Sequence, residues 1–128
     1  MATYRIYLVD DDRFLLDMYA VKFKNAGHEV RAFQQPEEFL AALRSDPAPD
    51  AVLIDIVMPG LTGFETIETV RREKLALTTK IIFLTNQGLD QDLDKAKELK
   101  ADGYIIKASA IPSEVYAETL KILEKVAA

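Results

Sequence analysis

The 128-residue chain contains no cysteine and a single histidine, His28. The absence of cysteine excludes disulfides, thiolate metal sites and thiol nucleophiles, and a lone histidine excludes a zinc or haem site built from several imidazoles. No apolar run approaches the roughly 18 residues of a membrane-spanning segment, and no basic stretch at the N-terminus leads into one. We therefore expect a cytoplasmic protein that has no membrane partner.

Positive charge is also scarce, since 16 Lys and Arg face 21 Asp and Glu, for a net charge of −5. An acidic surface repels nucleic acid and anionic membranes, so we expect no direct nucleic-acid partner. Gly/Ser linkers, repeats and low-complexity segments are absent from the sequence as well. We expect residues 1–128 to form one domain, large enough to bury roughly 70% of its unfolded surface.

Short apolar runs alternate with longer helical patterns along the chain. The runs predict strands at 5–9, 29–33, 51–54, 80–84 and 104–106. Apolar residues at a period near 3.6 predict helices at about 13–25, 36–44, 64–74, 89–100 and 113–126. Strands that alternate with helices indicate βαβ units with right-handed crossovers. The predicted fold class is therefore α/β, with a parallel sheet covered by helices on both faces.

Polar residues follow four of the five predicted strands. The first strand runs into the acidic stretch 10–12, the third into Asp55, the fourth into Thr85 and the fifth into Lys107. The second strand ends without a polar residue, as an edge strand away from a site would. Parallel strands share a direction, and ligands bind beyond their carboxyl ends. We therefore expect these side chains to meet, with Asp12 serving mainly to cap the first helix.

Asp55 is the least expected of these residues, because it lies between the apolar run Ala51–Ile54 and a second apolar run at 56–58. An unpaired buried carboxylate is costly, and carboxylates gathered at one edge raise one another's pKa. A hard divalent cation such as Mg²⁺ resolves that conflict. Lys107 and Thr85 supply the charge and the hydrogen-bond donor that a phosphoryl group needs. The pattern favours Asp55 as a nucleophile that is phosphorylated, with residues 56–58 limiting the access of water.

The segments LVDDD, LIDIVMPGLTG, FLT and YIIK occur in that order, and together they resemble the receiver domain of bacterial two-component response regulators, the family of the chemotaxis protein CheY. The resemblance covers essentially the whole chain. It implies a doubly wound (βα)₅, flavodoxin-like three-layer sandwich with a five-stranded parallel sheet in the order 2-1-3-4-5. It also implies a phosphorylation-dependent signalling switch. Such a switch has intrinsic autophosphorylation and autodephosphorylation activity, but it is not a conventional enzyme.

The resemblance assigns roles to individual residues of the predicted site. Asp55 matches the phosphoacceptor, Asp11 the direct ligand of Mg²⁺ or Mn²⁺, and Asp10 the ligand that acts mainly through water. Val57 would offer its backbone carbonyl to the metal. Lys107 matches the lysine that binds the phosphoryl group.

The resemblance also implies a switch and its partners. Thr85 matches the hydroxyl that turns toward the phosphoryl group, and Tyr104 matches the aromatic residue that swings inward when the threonine moves. Partners would recognise the phosphorylation state at the surface formed by the fourth helix, fifth strand and fifth helix. The implied phosphoryl source is a sensor histidine kinase, a phosphotransfer protein or a small phosphodonor. The implied recipient is a downstream protein target or an output domain, and the chain would act as a monomer or as a phosphorylation-promoted dimer.

Three places depart from the family pattern. Asn86 stands where the family usually has a small residue, and Ala108 follows Lys107 where the family usually has a proline after a cis bond. Pro112 comes one residue later than usual, so we expect a longer loop. Val57 and Gln87 would flank the path of a water that attacks the aspartyl phosphate. These departures keep open an alternative, a receiver-like docking module that works without phosphorylation.

Other interpretations explain less of the chain. A haloacid-dehalogenase-like phosphatase would use Asp10 and Asp12, but Phe14 stands where such an enzyme has Thr or Val, and LIDIVMPGLTG would have no role. A flavodoxin-like cofactor carrier is disfavoured because the acidic stretch 10–12 would repel a flavin phosphate. Gly60 and Gly63 are interpreted as permitting a tight loop. His28 is expected on a surface turn after Gly27, with no part in phosphotransfer.

Overall fold

The computed structural model of the protein describes residues 3–86, 89–107 and 111–124. Strands and helices alternate along the chain, and every predicted element is present with its boundaries shifted by at most a few residues. The strands are β1 Arg5–Val9, β2 Glu29–Phe33, β3 Ala51–Asp55, β4 Lys80–Thr85 and β5 Gly103–Ile106. The helices are α1 Arg13–Asn25, α2 Pro36–Ser45, α3 Gly63–Arg72, α4 Asp90–Glu98 and α5 Pro112–Glu124.

All strand pairs are parallel, and the strand order is β2-β1-β3-β4-β5. Every residue of β3 is buried, in keeping with its place at the centre of the sheet. Strand β2 lies at one edge, and three of its five residues are exposed. The predicted α/β class, flavodoxin-like sheet order and edge position of the second strand are therefore confirmed.

Side chains that alternate along the strands build one apolar layer on each face of the sheet. On β1, Tyr7 and Val9 belong to a cluster that packs under α2 and α3, where it includes Phe39. Leu8 belongs to a second cluster that packs under α1 and α5, where it includes Phe23. The result is a three-layer sandwich. No helix in the described ranges is long and apolar enough to cross a bilayer.

The first helix begins and ends as its sequence predicts. The Asp12 side chain accepts a hydrogen bond from the backbone N–H of Leu15 at 3.2 Å, which confirms Asp12 as the N-cap. Gly27 has a φ of 95°, a left-handed conformation that glycine adopts readily. These two residues fix the length of α1, so that its first turn starts directly beside the carboxyl end of β1.

The expectation that His28 lies on a surface turn is wrong, because His28 is only 6% exposed. Its Nδ1 accepts a hydrogen bond from the backbone N–H of Tyr4 at 3.1 Å, and its Nε2 lies 3.1 Å from the hydroxyl of Tyr116. The rings of Tyr4 and Tyr116 pack against the imidazole. The turn at Gly27 brings the imidazole between β1 and α5, where these tyrosines supply both its hydrogen bonds and its packing.

Candidate functional site

The carboxyl ends of β1 and β3 bring three carboxylates together. Asp10, Asp11 and Asp55 each offer an oxygen within 4.8 Å of the other two. Asp55 is the last residue of β3, and the backbone N–H of Ile56 donates to the carbonyl of Leu84 at 3.0 Å, which holds this strand end against β4. Asp10 and Asp55 are buried, whereas Asp11 is exposed. This all-oxygen group, with one side open to solvent, fits the ligand preference of Mg²⁺ or Mn²⁺.

Lys107 follows β5 and places its ammonium between two of these carboxylates. Its Nζ donates to Asp10 Oδ2 at 3.0 Å and lies 3.5 Å from Asp55 Oδ2. The side chain of Lys107 is only 4% exposed. A buried carboxylate is tolerated when a cation neutralises it, so Lys107 explains how β3 can end in a buried aspartate. The sequence prediction that Lys107 meets Asp10 and Asp55 is confirmed by this geometry.

Burial and neighbouring charges shift the pKa values in the site. Burial, together with the negative charge of Asp10, raises the pKa of Asp55 to about 6, although Lys107 opposes the shift. Burial also raises the pKa of Asp10, against the hydrogen bond from the Asp12 backbone N–H and the charge of Lys107. Burial lowers the pKa of Lys107, but the attraction of Asp10 and Asp55 outweighs burial, and the pKa is raised. The ammonium therefore stays charged at neutral pH.

Thr85 and Tyr104 lie together on the next two strands. Thr85 ends β4, is 3% exposed and pairs with Ile106 across the sheet. Tyr104 is half-buried and packs against the cluster under α2 and α3. A side-chain hydrogen bond links Tyr104 to Thr85. The two residues of the predicted switch are thus in direct contact, so a displacement of the Thr85 side chain would also change the position of the Tyr104 side chain.

The segment after Asp55 differs in part from the sequence prediction. Ile56 and Met58 are each 5% exposed and pack behind the site, but Val57 is 74% exposed. Only two of the three apolar residues therefore shield the site, because Val57 points away from the core. The backbone N–H of Val57 donates a hydrogen bond to the Asp55 carboxylate, and this bond lowers the pKa of Asp55, although less than burial raises it.

The sequence predicted only that Gly63 permits a tight loop, but its backbone also packs against the backbone of Asp55. A Cβ at this position would lie 2.3 Å from the backbone oxygen of Asp55. The N–H of Gly63 also donates to the carbonyl of Ile56 at 2.8 Å. The first turn of α3 can therefore pack directly on the backbone of Asp55 only because residue 63 has no side chain.

Tyr19 is a residue near the site that the sequence analysis missed. It lies on the face of α1 that packs on the sheet, together with Leu16, Ala20 and Phe23. The signal was the single polar group on that otherwise apolar face. Burial raises the pKa of Tyr19, while the charge of Lys107 lowers it and the charge of Asp10 raises it.

Asp11 also lines a groove of about 460 Å³ that runs between the loops after β1, β2 and β3 and includes Gln35 and Gly60. Asn86 is exposed. Gln87 and Ala108 lie outside the described residues, so the predictions about the path of the attacking water and about the bond after Lys107 remain predictions.

Comparisons with known proteins agree on one family. The family model described as response regulator receiver domain matches residues 6–116. The chain is 31% identical over 120 residues to the phosphate regulon transcriptional regulatory protein PhoB of Pseudomonas aeruginosa, covering 94% of this chain and 52% of that protein. It is 30% identical over 123 residues to the alkaline phosphatase synthesis transcriptional regulatory protein PhoP of Bacillus subtilis, covering 94% and 49%. The chain thus spans about half the length of these curated relatives.

Solved structures give the same result. A CheY-like response regulator receiver domain protein from Methanospirillum hungatei matches with a TM-score of 0.86 and 25% identity, covering 96% of this chain and 95% of that chain. The chemotaxis response regulator CheY4 of Vibrio cholerae matches with a TM-score of 0.85 and 25% identity, covering 94% and 99%.

Proposed function

The chain belongs to the family of response regulator receiver domains, and from that premise we propose that it is a phosphorylation-dependent signalling switch in which Asp55 accepts the phosphoryl group. The observation that supports this most strongly is the buried group of Asp10 and Asp55 around the Lys107 ammonium, with Asp11 at its open side. It combines a nucleophile, a set of metal ligands and a cation at the carboxyl ends of parallel strands.

The reaction is a transfer of the phosphoryl group to a carboxylate. A pKa of about 6 leaves Asp55 mostly ionised at neutral pH, so no separate base is required. One carboxylate oxygen of Asp55 forms a bond to phosphorus while the bond from phosphorus to the donor breaks. The leaving group, the imidazole of a phosphohistidine or the acetate of acetyl phosphate, keeps the electron pair of that bond.

The residues around Asp55 supply the positive charge that the phosphoryl oxygens require. Asp11, Asp10, an oxygen of Asp55 and the backbone carbonyl of Val57 would hold Mg²⁺ or Mn²⁺. When bound, the ion supplies positive charge that neutralises the phosphoryl oxygens. Lys107 turns from Asp10 toward a phosphoryl oxygen and adds a second positive charge there.

The phosphoryl group then changes the outer surface. Thr85 donates its hydroxyl to a phosphoryl oxygen, and Tyr104 follows Thr85 because the two side chains are hydrogen-bonded. The surface formed by α4, β5 and α5 changes with them, as a two-state element biased by new charge-assisted contacts.

The proposed phosphoryl source is a sensor histidine kinase or a phosphotransfer protein in the cytoplasm. The proposed recipient of the signal is a downstream protein or an output domain, which the domain of residues 1–128 contacts as a monomer or as a dimer. The relatives PhoB and PhoP are named as transcriptional regulators. For this chain we propose protein contacts, not direct nucleic-acid contacts, because its net charge is −5.

Intact mass after incubation with acetyl phosphate and Mg²⁺ tests the proposal. The wild type should gain one phosphoryl group, and Asp55→Asn or removal of the metal should abolish the gain. Asp12→Asn is the matched control, because it neutralises an adjacent acid, keeps a good N-cap and should still be phosphorylated. If the wild type neither gains a phosphoryl group nor binds beryllium fluoride, the proposal is wrong and the phosphorylation-independent docking module becomes the better explanation.

A further inference from the structure

Helix α4 is held to the rest of the fold by little apolar packing. Of its residues Asp90–Glu98, only Ala96 is buried, and Leu93 is 37% exposed. Helix α3, of nearly equal length, buries Ile67 and Val70 completely. A short helix gains most of its stability from the apolar face that it buries. Polar contacts to neighbouring elements therefore have a larger part in fixing the place of α4 than in fixing that of α3.

Two side chains of α3 supply such contacts. Arg71 donates from Nε to the carbonyl of Leu99 at 3.1 Å and from Nη2 to the carbonyl of Lys100 at 3.2 Å. One turn earlier on α3, a carboxylate oxygen of Glu68 lies 3.0 Å from the ammonium of Lys95. Residues three apart lie on the same side of a helix, so Arg71 and Glu68 both face α4. These three contacts constitute the α3–α4 link.

The Arg71 contacts are the stronger part of the α3–α4 link. The last carbonyls of a helix have no donor inside the helix, and a cation placed there also interacts favourably with the helix dipole. Lys100 has a φ of 59°, a left-handed conformation at the end of α4, and Arg71 binds two successive carbonyls at this end. The side chains of Lys95 and Glu68 are 40% and 42% exposed, and exposed ion pairs contribute little.

The α3–α4 link lies between a fixed part of the fold and the proposed switch. Helix α3 begins at Gly63, which packs directly on the backbone of Asp55. Helix α4 instead lies in the chain between the two switch residues, with Thr85 five positions before its first residue and Tyr104 six positions after its last. Because both connections of α4 lead to switch residues, we expect their displacement to shift α4 relative to α3, where the link lies.

We propose that Arg71 is a positioning residue that holds α4 against α3 in the conformation in which Lys107 is paired with Asp10, and that the phosphoryl-driven change of the surface formed by α4, β5 and α5 breaks this hold. The inference rests on the proposed function and deepens it, because it names the contacts that oppose the switch. A contact made in only one of two conformations shifts the equilibrium towards that conformation. Loss of the Arg71 contacts therefore raises the population of the switched conformation, and with it the apparent affinity for a phosphoryl mimic.

The first test measures the binding of beryllium fluoride, a phosphoryl mimic, in saturating Mg²⁺. Arg71→Gln should tighten this binding by about fivefold, which corresponds to the net contribution of one hydrogen bond. Arg44→Gln is the matched control, because Arg44 joins the ends of α2 and α3 through two hydrogen bonds to Glu73, at 2.8 and 2.7 Å. The control removes the same charge from the same side of the sheet and should leave the affinity unchanged.

The affinity separates a positioning role from a merely structural one. A structural role would lower the urea midpoint of unfolding in Arg71→Gln and in Arg44→Gln alike, and it would leave the binding of beryllium fluoride unchanged in both. Arg71→Lys keeps the charge but loses the planar group that reaches two carbonyls, so it should show most of the gain in affinity. Binding to Arg71→Gln that is no tighter than binding to Arg44→Gln would overturn the inference.

Hydrogen exchange tests the hold on α4 without a phosphoryl mimic. Arg71→Gln should speed exchange of the backbone amides of residues 95–100 severalfold, because local opening of α4 becomes easier, while the amides of α3 keep their wild-type rates. Glu68→Gln should have a smaller effect, and Arg44→Gln none. Unchanged exchange in Arg71→Gln would overturn the inference. A wild type that does not bind beryllium fluoride contradicts the proposed function instead, and the exchange rates then decide whether Arg71 holds α4.

Discussion

The ammonium of Lys107 donates to Asp10 at 3.0 Å and lies 3.5 Å from Asp55, so a single buried cation is shared by two carboxylates. The exposed carboxylate of Asp11 adds a third negative charge to the same group. One cation cannot neutralise three carboxylates, so in the absence of metal the site keeps an excess of negative charge. That excess attracts a divalent cation and also makes the metal-free site costly to the fold.

Replacement of Asp55 by Asn should stabilise the metal-free protein at neutral pH. The pKa of Asp55 is raised from 3.8 to about 6, so the folded state binds its proton more tightly than the unfolded state does. The stability due to the protonated form is fully present below pH 4 and is lost as the pH rises through about 6. Because Asn mimics the neutral form, Asp55→Asn should gain up to about 3 kcal/mol above pH 7 and little near pH 4.

Urea unfolding in EDTA across this pH range measures the effect. Asp94→Asn, which makes the same change at an exposed position of α4, is the control for the substitution itself. Saturating Mg²⁺ should shrink the difference between the wild type and Asp55→Asn, because the metal stabilises the ionised carboxylate. A gain that is the same at pH 4 and pH 8 would contradict the assignment of the raised pKa to Asp55.

Removal of the cation should have the opposite effect. Lys107→Gln leaves Asp10 and Asp55 buried without their partner, which should cost about 3–5 kcal/mol at pH 7. The double variant Lys107→Gln/Asp10→Asn removes most of the uncompensated charge and should recover a large part of that loss. Thermal or urea unfolding of the two single variants and the double variant gives the coupling energy directly. Additive effects would show that the contact at 3.0 Å contributes nothing.

The sequence predicted the fold, and it predicted that the site residues lie together. Both follow from the order of strands and helices along the chain. Once alternating elements indicate a parallel sheet, the residues after its strands must share one edge, and Asp10, Asp55 and Lys107 are brought together by that rule alone. The sequence could not show which carboxylate Lys107 prefers, because the difference between 3.0 Å and 3.5 Å depends on the exact positions of the side chains. It could not place His28 either, because the pocket between Tyr4 and Tyr116 is built from residues far apart in the chain.

Gly63 should tolerate no side chain. An alanine Cβ would lie 2.3 Å from the backbone oxygen of Asp55, and backbone in a central strand cannot move aside as a side chain can. We expect Gly63→Ala to destabilise the protein by about 1–3 kcal/mol and to displace Asp55, which slows phosphoryl uptake. Gly103→Ala is an instructive comparison, because its closest contact, at 2.4 Å, is the flexible end of Ile122. Unfolding curves should show the smaller loss for Gly103→Ala, and a loss of equal size would contradict this account.

The lifetime of the phosphorylated state should depend on Val57. Val57 is 74% exposed and lies two residues after Asp55, beside the predicted path of the water that attacks the aspartyl phosphate. A valine side chain can neither donate to that water nor accept from it. Val57→Asn introduces an amide that can orient the water, and one added hydrogen bond should speed dephosphorylation by about fivefold. Loss of the phosphoryl group, followed by intact mass after removal of acetyl phosphate, gives the rate. Val21→Asn makes the same change at an exposed position of α1 and should not alter it. Unchanged rates in Val57→Asn would show that Val57 does not control the access or orientation of the water.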